Sequence, residues 1–236
     1  MKKWVIANFK MYKTVQEATI YAKNFKKLVK NSKNHIVICP SFVCVESMAK
    51  AFKETNILVG GQNCFQESEG AFTGETSAKM LKSAGANLVI LGHSERRRYF
   101  GETDEIVNKK ILQAQNEGLT AVVCLADDGT SGYESRIKEQ LKTLLNGIDE
   151  TKIIFAFEPA FAIGTGKAMA VCDIEPVIKT IKNEAKKILK INVQVLYGGS
   201  VNKDNAKDFL SSKVIDGLLI GGASLNEVGF AEICNI

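Results

Sequence analysis

Three side chains each follow a run of apolar residues and could move or stabilise charge. Glu158 ends the run 153–157 and is followed by Pro159. A carboxylate emerging from such a run is partly desolvated, which penalises its ionised form and makes it a stronger base. His93 follows Leu88-Val89-Ile90-Leu91-Gly92 and precedes what reads as a helical turn. The positive end of a helix favours a neutral imidazole, which can donate a hydrogen bond to a carbonyl oxygen as an electrophile. Lys10, two residues after Asn8, lies just past the first apolar run; it could draw an anionic substrate and stabilise developing negative charge. Singly, each also has an ordinary reading: a strand-end acid paired with Arg or Lys, a satisfied structural histidine, a solvated lysine.

These residues must be brought together by the elements around them. Short runs rich in Val, Ile and Leu recur at 4–8, 36–40, 57–61, 88–92, 120–125, 153–158, 193–197 and 216–220. Several are apolar nearly throughout, as strands buried on both faces of a parallel sheet are. Helical patterns lie between them. Val15, Ala18, Ala22, Phe25 and Val29 build one stripe within 14–30, and Ile137, Leu141, Leu144 and Ile148 another within 137–148. Ile174, Ile178, Ile181, Ala185 and Ile188 do the same in 173–190, with Asp173 as a predicted cap and Pro176 expected in the first turn. Ser224-Leu225-Asn226-Glu227 has the pattern of a capping box for the last helix. Eight strand–helix units with no linker predict a single (β/α)8 barrel domain over residues 1–236. A doubly wound open sheet is the alternative, but it usually begins with a Gly-rich turn where this chain has Asn8-Phe9-Lys10-Met11.

In such a barrel the groups at the carboxyl ends of the strands share one face. That face would gather Asn8, Lys10, Gln62-Asn63, His93-Ser94-Glu95, Cys124, Glu158 and two Gly-rich turns, Gly198-Gly199-Ser200-Val201-Asn202 and Gly221-Gly222-Ala223-Ser224. The turns end strands seven and eight, where backbone N–H groups often cradle a phosphate. Base, electrophile, cation and cradle together describe proton transfer next to a carbonyl in a small phosphorylated substrate.

Other functions lose ground on composition and motifs. The 236 residues are 45 % apolar and 24 % charged, ordinary for a folded chain, and no run nears the roughly 18 apolar residues of a membrane span. Met1-Lys2-Lys3-Trp4-Val5-Ile6-Ala7-Asn8 has too short an apolar run for a signal peptide, so a cytoplasmic location is expected. Six cysteines without paired CxxC spacing read as reduced thiols, and two histidines cannot make an all-histidine metal site within the chain. No metal and no cofactor is expected. The net charge is +5, and the Lys runs at 23–33 and 182–190 read as solvated helix faces rather than a nucleic-acid patch. Residues 159–167 form an apolar loop with hinge-like residues at both ends, the pattern of a lid that excludes water. The loop is neither a Walker A motif nor GxGxxG, since Phe161, Ala168 and Met169 occupy required positions.

The chain as a whole resembles the triosephosphate isomerase family. The most specific pieces are Asn8-Phe9-Lys10, Leu91-Gly92-His93-Ser94-Glu95-Arg96-Arg97, Phe157-Glu158-Pro159 with Ala162-Ile163-Gly164-Thr165-Gly166-Lys167, and Tyr197-Gly198-Gly199-Ser200-Val201. The resemblance implies interconversion of dihydroxyacetone phosphate and D-glyceraldehyde 3-phosphate through an enediolate, as in glycolysis and gluconeogenesis. It implies Glu158 as base, His93 as proton shuttle and Lys10 as charge partner with Asn8 nearby. Phosphate would sit on N–H groups of Gly164, Ser200, Gly221 and Gly222, with Glu95 positioning Lys10 and His93 from outside. Cys124 reads as a packing residue beside the site. The resemblance also implies a homodimer, in which the loop 63–77 with Thr73 near its tip reaches the neighbour's site; Phe72 at that apex independently favours dimerisation.

Two departures from the family pattern concern the lid. Its first hinge usually reads Pro-Val-Trp, where this chain has Pro159-Ala160-Phe161, and strand five commonly ends Cys-Ile-Gly-Glu, here Cys124-Leu125-Ala126-Asp127. The pair can be one coupled adjustment, since in the family that Glu can meet the hinge Trp. Two other readings are another (β/α)8 sugar-phosphate isomerase or aldolase, and a non-catalytic barrel that binds phosphorylated metabolites or protein partners. A Schiff-base aldolase needs a strand-interior Lys, and none of the eight runs has one. A non-catalytic sugar-phosphate-binding barrel would have no need of Glu158, His93 and Lys10 together.

Overall fold

Alternate residues along each strand serve two cores. In the first strand Val5 and Ala7 join one cluster and Ile6 the other, so the run is apolar throughout. The inner cluster, with Ile6, Val37, Cys39, Ile90, Val122, Cys124, Ala156, Leu196 and Leu219, fills the space enclosed by the sheet. The outer cluster packs the sheet against the helices. The computed structural model describes residues 2–127, 132–148, 152–159 and 168–236. Its strands are β1 (Trp4–Asn8), β2 (His35–Cys39), β3 (Ile57–Gly61), β4 (Leu88–Leu91), β5 (Thr120–Asp127), β6 (Ile153–Pro159), β7 (Gln194–Gly198) and β8 (Gly217–Ile220). They pair in parallel in chain order and close into a barrel with β8 against β1, so the open sheet is excluded. Closure requires Gly217, where a Cβ would lie 2.0 Å from the carbonyl oxygen of Trp4.

Around the barrel run α1 (Val15–Leu28), α2 (Val45–Phe52), α3 (Ala78–Ser83), α4 (Ser94–Phe100), α5 (Asp104–Asn116), α6 (Tyr133–Leu144), α7 (Val171–Leu189), α8 (Ala206–Ser211) and α9 (Glu227–Cys234). The first helix starts on a capping box: Thr14 Oγ1 accepts from the Glu17 N–H, and Glu17 Oε2 accepts from the Thr14 N–H. Stacking of Phe25 on Phe230, with ring centroids 5.4 Å apart, ties α1 to α9 and so joins the two ends of the chain. A buried network joins the loop after β3 to α4 and α5. Lys110 Nζ donates to Glu102 and to Asn63 Oδ1, and Arg96 Nε also donates to Glu102.

Several helix expectations need correction. Asp173 is not a cap: the cap of α7 is Ala170, three residues earlier, and Asp173 lies in the first turn. Pro176 therefore falls in the second turn, where its missing N–H leaves the carbonyl of Cys172 without the usual helical donor. The capping box at Ser224–Glu227 does not form. Ser224 belongs to a 3-10 turn over Gly222–Leu225 and donates its Oγ–H to the carbonyl of Gly221, while Asn226 Oδ1 caps α9 through the Gly229 N–H. Val15 and Ile188, placed on buried stripes, are 45 % and 40 % exposed, because both lie at helix ends beyond the packed turns. Ile148 is buried but follows the end of α6.

Candidate active site

Strand β6 carries Glu158 to its penultimate position, and the carboxylate is almost fully buried. Its two oxygens are both engaged: Oε2 accepts from the Ser94 N–H at 2.9 Å, and Oε1 lies 3.1 Å from His93 Nε2. His93 is the N-cap of α4, and its Nδ1 accepts the N–H of Glu95 at 3.2 Å. Glu95 Oε2, 3.7 Å from the same nitrogen, is too far for a hydrogen bond. An accepting Nδ1 carries no proton, so the proton of the neutral ring sits on Nε2, aimed at Glu158. The ring is carried by Gly92 at φ 66°, a left-handed turn where a Cβ would also lie 2.9 Å from Arg97 Nη2. Arg97 fixes that turn by donating from Nε to the Gly92 carbonyl, 2.8 Å away.

Lys10 stands on strained backbone, with φ at 51° in a residue that has a Cβ. Three partners hold it there. Asn8 Oδ1 accepts its N–H (3.0 Å), Gln62 Nε2 donates to its carbonyl (2.9 Å), and Glu95 Oε1 takes its ammonium (2.5 Å). Asn8 thus serves the shape of the turn as well as lining the site.

The two Gly-rich turns complete the wall. A cavity of about 300 Å³ is lined by Asn8, Lys10, His93, Glu158, Ser200, Gly221 and Gly222, among others, which suits a ligand of a few carbons with one phosphate. Close approach explains the glycines after β7: a Cβ on Gly198 would lie 3.0 Å from Glu158 Cγ, and one on Gly199 would lie 2.4 Å from Tyr197 Oη. A carboxylate, a neutral imidazole and an ammonium around one small cavity can together take up and return a proton while balancing charge on neighbouring oxygens.

Comparison with known proteins gives the same direction. The sequence profile of triosephosphate isomerase matches residues 3–236. The chain belongs to the triosephosphate isomerase family. It is 42 % identical to a triosephosphate isomerase of Caldanaerobacter subterraneus subsp. tengcongensis, covering all of both chains. It is 41 % identical to that of Thermodesulfovibrio yellowstonii over 98 % of each chain, and 41 % identical to that of Trichodesmium erythraeum over 100 % of this chain and 99 % of the other.

Other expectations drawn from the triosephosphate isomerase resemblance meet the structure unevenly. Cys124 is fully buried on β5 beside Glu158; burial first and the Glu158 charge second push its thiol well above the usual range, so it stays protonated. Thr73 is exposed near the tip of the loop 63–77, where Phe72 is 43 % exposed and packs on Phe65 with centroids 4.6 Å apart. Gly164 and residues 160–167 of the expected lid lie outside the described residues, as does the Ala160-Phe161 hinge. Beyond the lid, Met169 donates its N–H to Tyr197 Oη at 3.1 Å. Among the described residues no helix is long and apolar enough to cross a membrane.

Several residues that support this site carry little or no signal in the sequence. In the sequence Gln62 is marked only as a strand-end residue, and the Ser94 N–H, which holds Glu158, has no side-chain signal at all. Ser94 Oγ is buried without a hydrogen-bond partner among the described residues, so it is the backbone of this residue that serves the site.

Proposed function

We propose that this chain interconverts dihydroxyacetone phosphate and D-glyceraldehyde 3-phosphate by moving one proton between adjacent carbons through an enediolate. The observation that carries this reading is the close pair of Glu158 and His93, 3.1 Å apart in a cavity shared with Lys10 and two Gly-rich turns. The substrate phosphate binds N–H groups of Ser200, Gly221 and Gly222, with Gly164 as a fourth donor. Its carbonyl oxygen then faces Lys10 and the Nε2–H of His93. Glu158 takes the proton from the neighbouring carbon, the electron pair moves to form the enediolate, and negative charge develops on oxygen beside Lys10. His93 passes a proton between the two oxygens, and Glu158 returns its proton to the other carbon. To reach carbon, Glu158 must leave the Ser94 N–H and the His93 Nε2–H that hold it at rest.

The supporting roles follow. Glu95 holds the Lys10 ammonium, Asn8 holds the turn that carries it, and Cys124 packs beneath the base. The loop 159–167 acts as a lid that keeps water away and prevents the enediolate from expelling phosphate. The enzyme acts as one barrel domain in the cytoplasm, requires no cofactor, and works as a homodimer with Thr73 reaching the second site. Met11, Tyr12, Phe42 and Val43, all exposed in the segments after β1 and β2, supply apolar surface for that contact. A coupled assay starting from dihydroxyacetone phosphate tests the reading. Turnover is expected; no turnover in a protein that still binds a phosphorylated inhibitor would instead leave a binding barrel.

A further inference from the structure

One phenol connects the two halves of the site. Tyr21 lies on the buried face of α1, with its side chain 2 % exposed. Its Oη donates to the carbonyl of Ser224 at 2.9 Å, in the 3-10 turn that follows β8. Ser224 in turn donates twice to the carbonyl of Gly221, from Oγ at 2.6 Å and from its N–H at 2.8 Å. Gly221 is one of the cavity's cradle residues, and a Cβ on it would lie 3.0 Å from Lys10 Cε. On its other side the Tyr21 ring meets Phe9 edge-on, centroids 4.9 Å apart, and Phe9 is the buried residue between Asn8 and Lys10. The ammonium of Lys13 caps both rings, 5.0 Å from the Tyr21 centroid and 5.8 Å from that of Phe9. Lys13 is itself left-handed at φ 71°, so the segment from Lys10 to Lys13 contains two strained positions and rests on this aromatic pair.

We infer that Tyr21 is a positioning residue: its hydroxyl fixes the phosphate turn through Ser224, while its ring fixes the Lys10 turn through Phe9. This rests on the isomerase reading for the identity of the ligand, but not for the geometry. Burial pushes the Tyr21 phenol far above its usual range, so it remains a donor wherever the protein is folded. The consequence is directional. Removing the hydroxyl releases the phosphate turn and leaves the ring packing in place, so binding of the phosphate group suffers while proton transfer by Glu158 and His93 does not.

Tyr21→Phe tests this, with steady-state kinetics for the triose phosphates and the dissociation constant for inorganic phosphate measured by calorimetry. The loss of one buried hydrogen bond corresponds to about a three- to ten-fold rise in KM and in the phosphate dissociation constant, with kcat within about two-fold of wild type. If only thermal stability falls while KM and phosphate affinity stay unchanged, Tyr21 is a packing residue and the inference is overturned. The same holds if kcat falls as far as KM rises. Should Tyr21→Phe fail to fold, Ser224→Ala removes the hydroxyl bond to the Gly221 carbonyl, leaves the backbone bond in place, and is expected to weaken phosphate binding by about two- to five-fold. A wild type that binds phosphate without turnover would overturn the isomerase reading, and the phosphate affinities of the two variants would still decide this one.

Discussion

Glu158 is held by a space that only glycine leaves open. With the Cβ position of residue 198 at 3.0 Å from Glu158 Cγ, Gly198→Ala must push the base by a few tenths of an ångström. Misplacement on that scale is expected to lower kcat about ten-fold with the fold intact, because proton transfer is steeply sensitive to geometry. Unchanged kcat with normal circular dichroism would mean that the carboxylate is not held as described. Glu158, His93 and Lys10 were legible in the sequence for one reason: each ends or just follows an apolar run, and such residues in a closed barrel emerge on one face. What held them was not legible. The N–H of Ser94, the amide of Gln62 reaching the Lys10 carbonyl and the phenol of Tyr21 act across strands and helices far apart in sequence, so no local pattern marks them.

At the scale of elements, strands read true and helix ends did not. The β5 and β6 runs lay within a residue or two of their observed limits, because burial on both faces makes the whole strand apolar. Helix starts depend on which backbone N–H groups find a partner, and that is settled by neighbours. Asn226 and Ser224 are both good capping residues, and the 3-10 turn that holds Ser224 against Gly221 leaves the cap to Asn226. In α7 the stripe is visible in the sequence, but the cap lies three residues before the Asp173 that the sequence offers, which moves Pro176 out of the first turn. That residue is exposed and sits in the second turn, so Pro176→Ala restores a donor for the Cys172 carbonyl. The gain is expected to be about 1–2 kcal/mol after the lost rigidity of the unfolded chain is subtracted, measured by urea denaturation. A variant less stable than wild type would show that the proline ring contributes more than the missing bond costs.

For the whole molecule, eight repeats of one strand–helix unit were enough to predict closure. Closure in turn explains why residues 148 positions apart, Lys10 and Glu158, line the same cavity. The nine α-helices among the described residues exceed eight because β4 is followed by both α4 and α5. The proposed dimer belongs to this scale as well. Val43 is 74 % exposed beside Phe42, a large apolar surface for a chain on its own. Sedimentation equilibrium is expected to give twice the chain mass, and Val43→Glu is expected to shift it towards the single chain. A wild type that sediments as one chain at micromolar concentration would contradict the dimer.

The measurement that bears most directly on the chemistry is exchange of the carbon-bound hydrogen of dihydroxyacetone phosphate with deuterated water, in the wild type beside Glu158→Gln. A base that takes the proton to itself predicts rapid exchange in the wild type and a fall of about 10²–10⁴-fold in the variant, with phosphate binding retained. Equal exchange in the two proteins would contradict the assignment of Glu158 as the base.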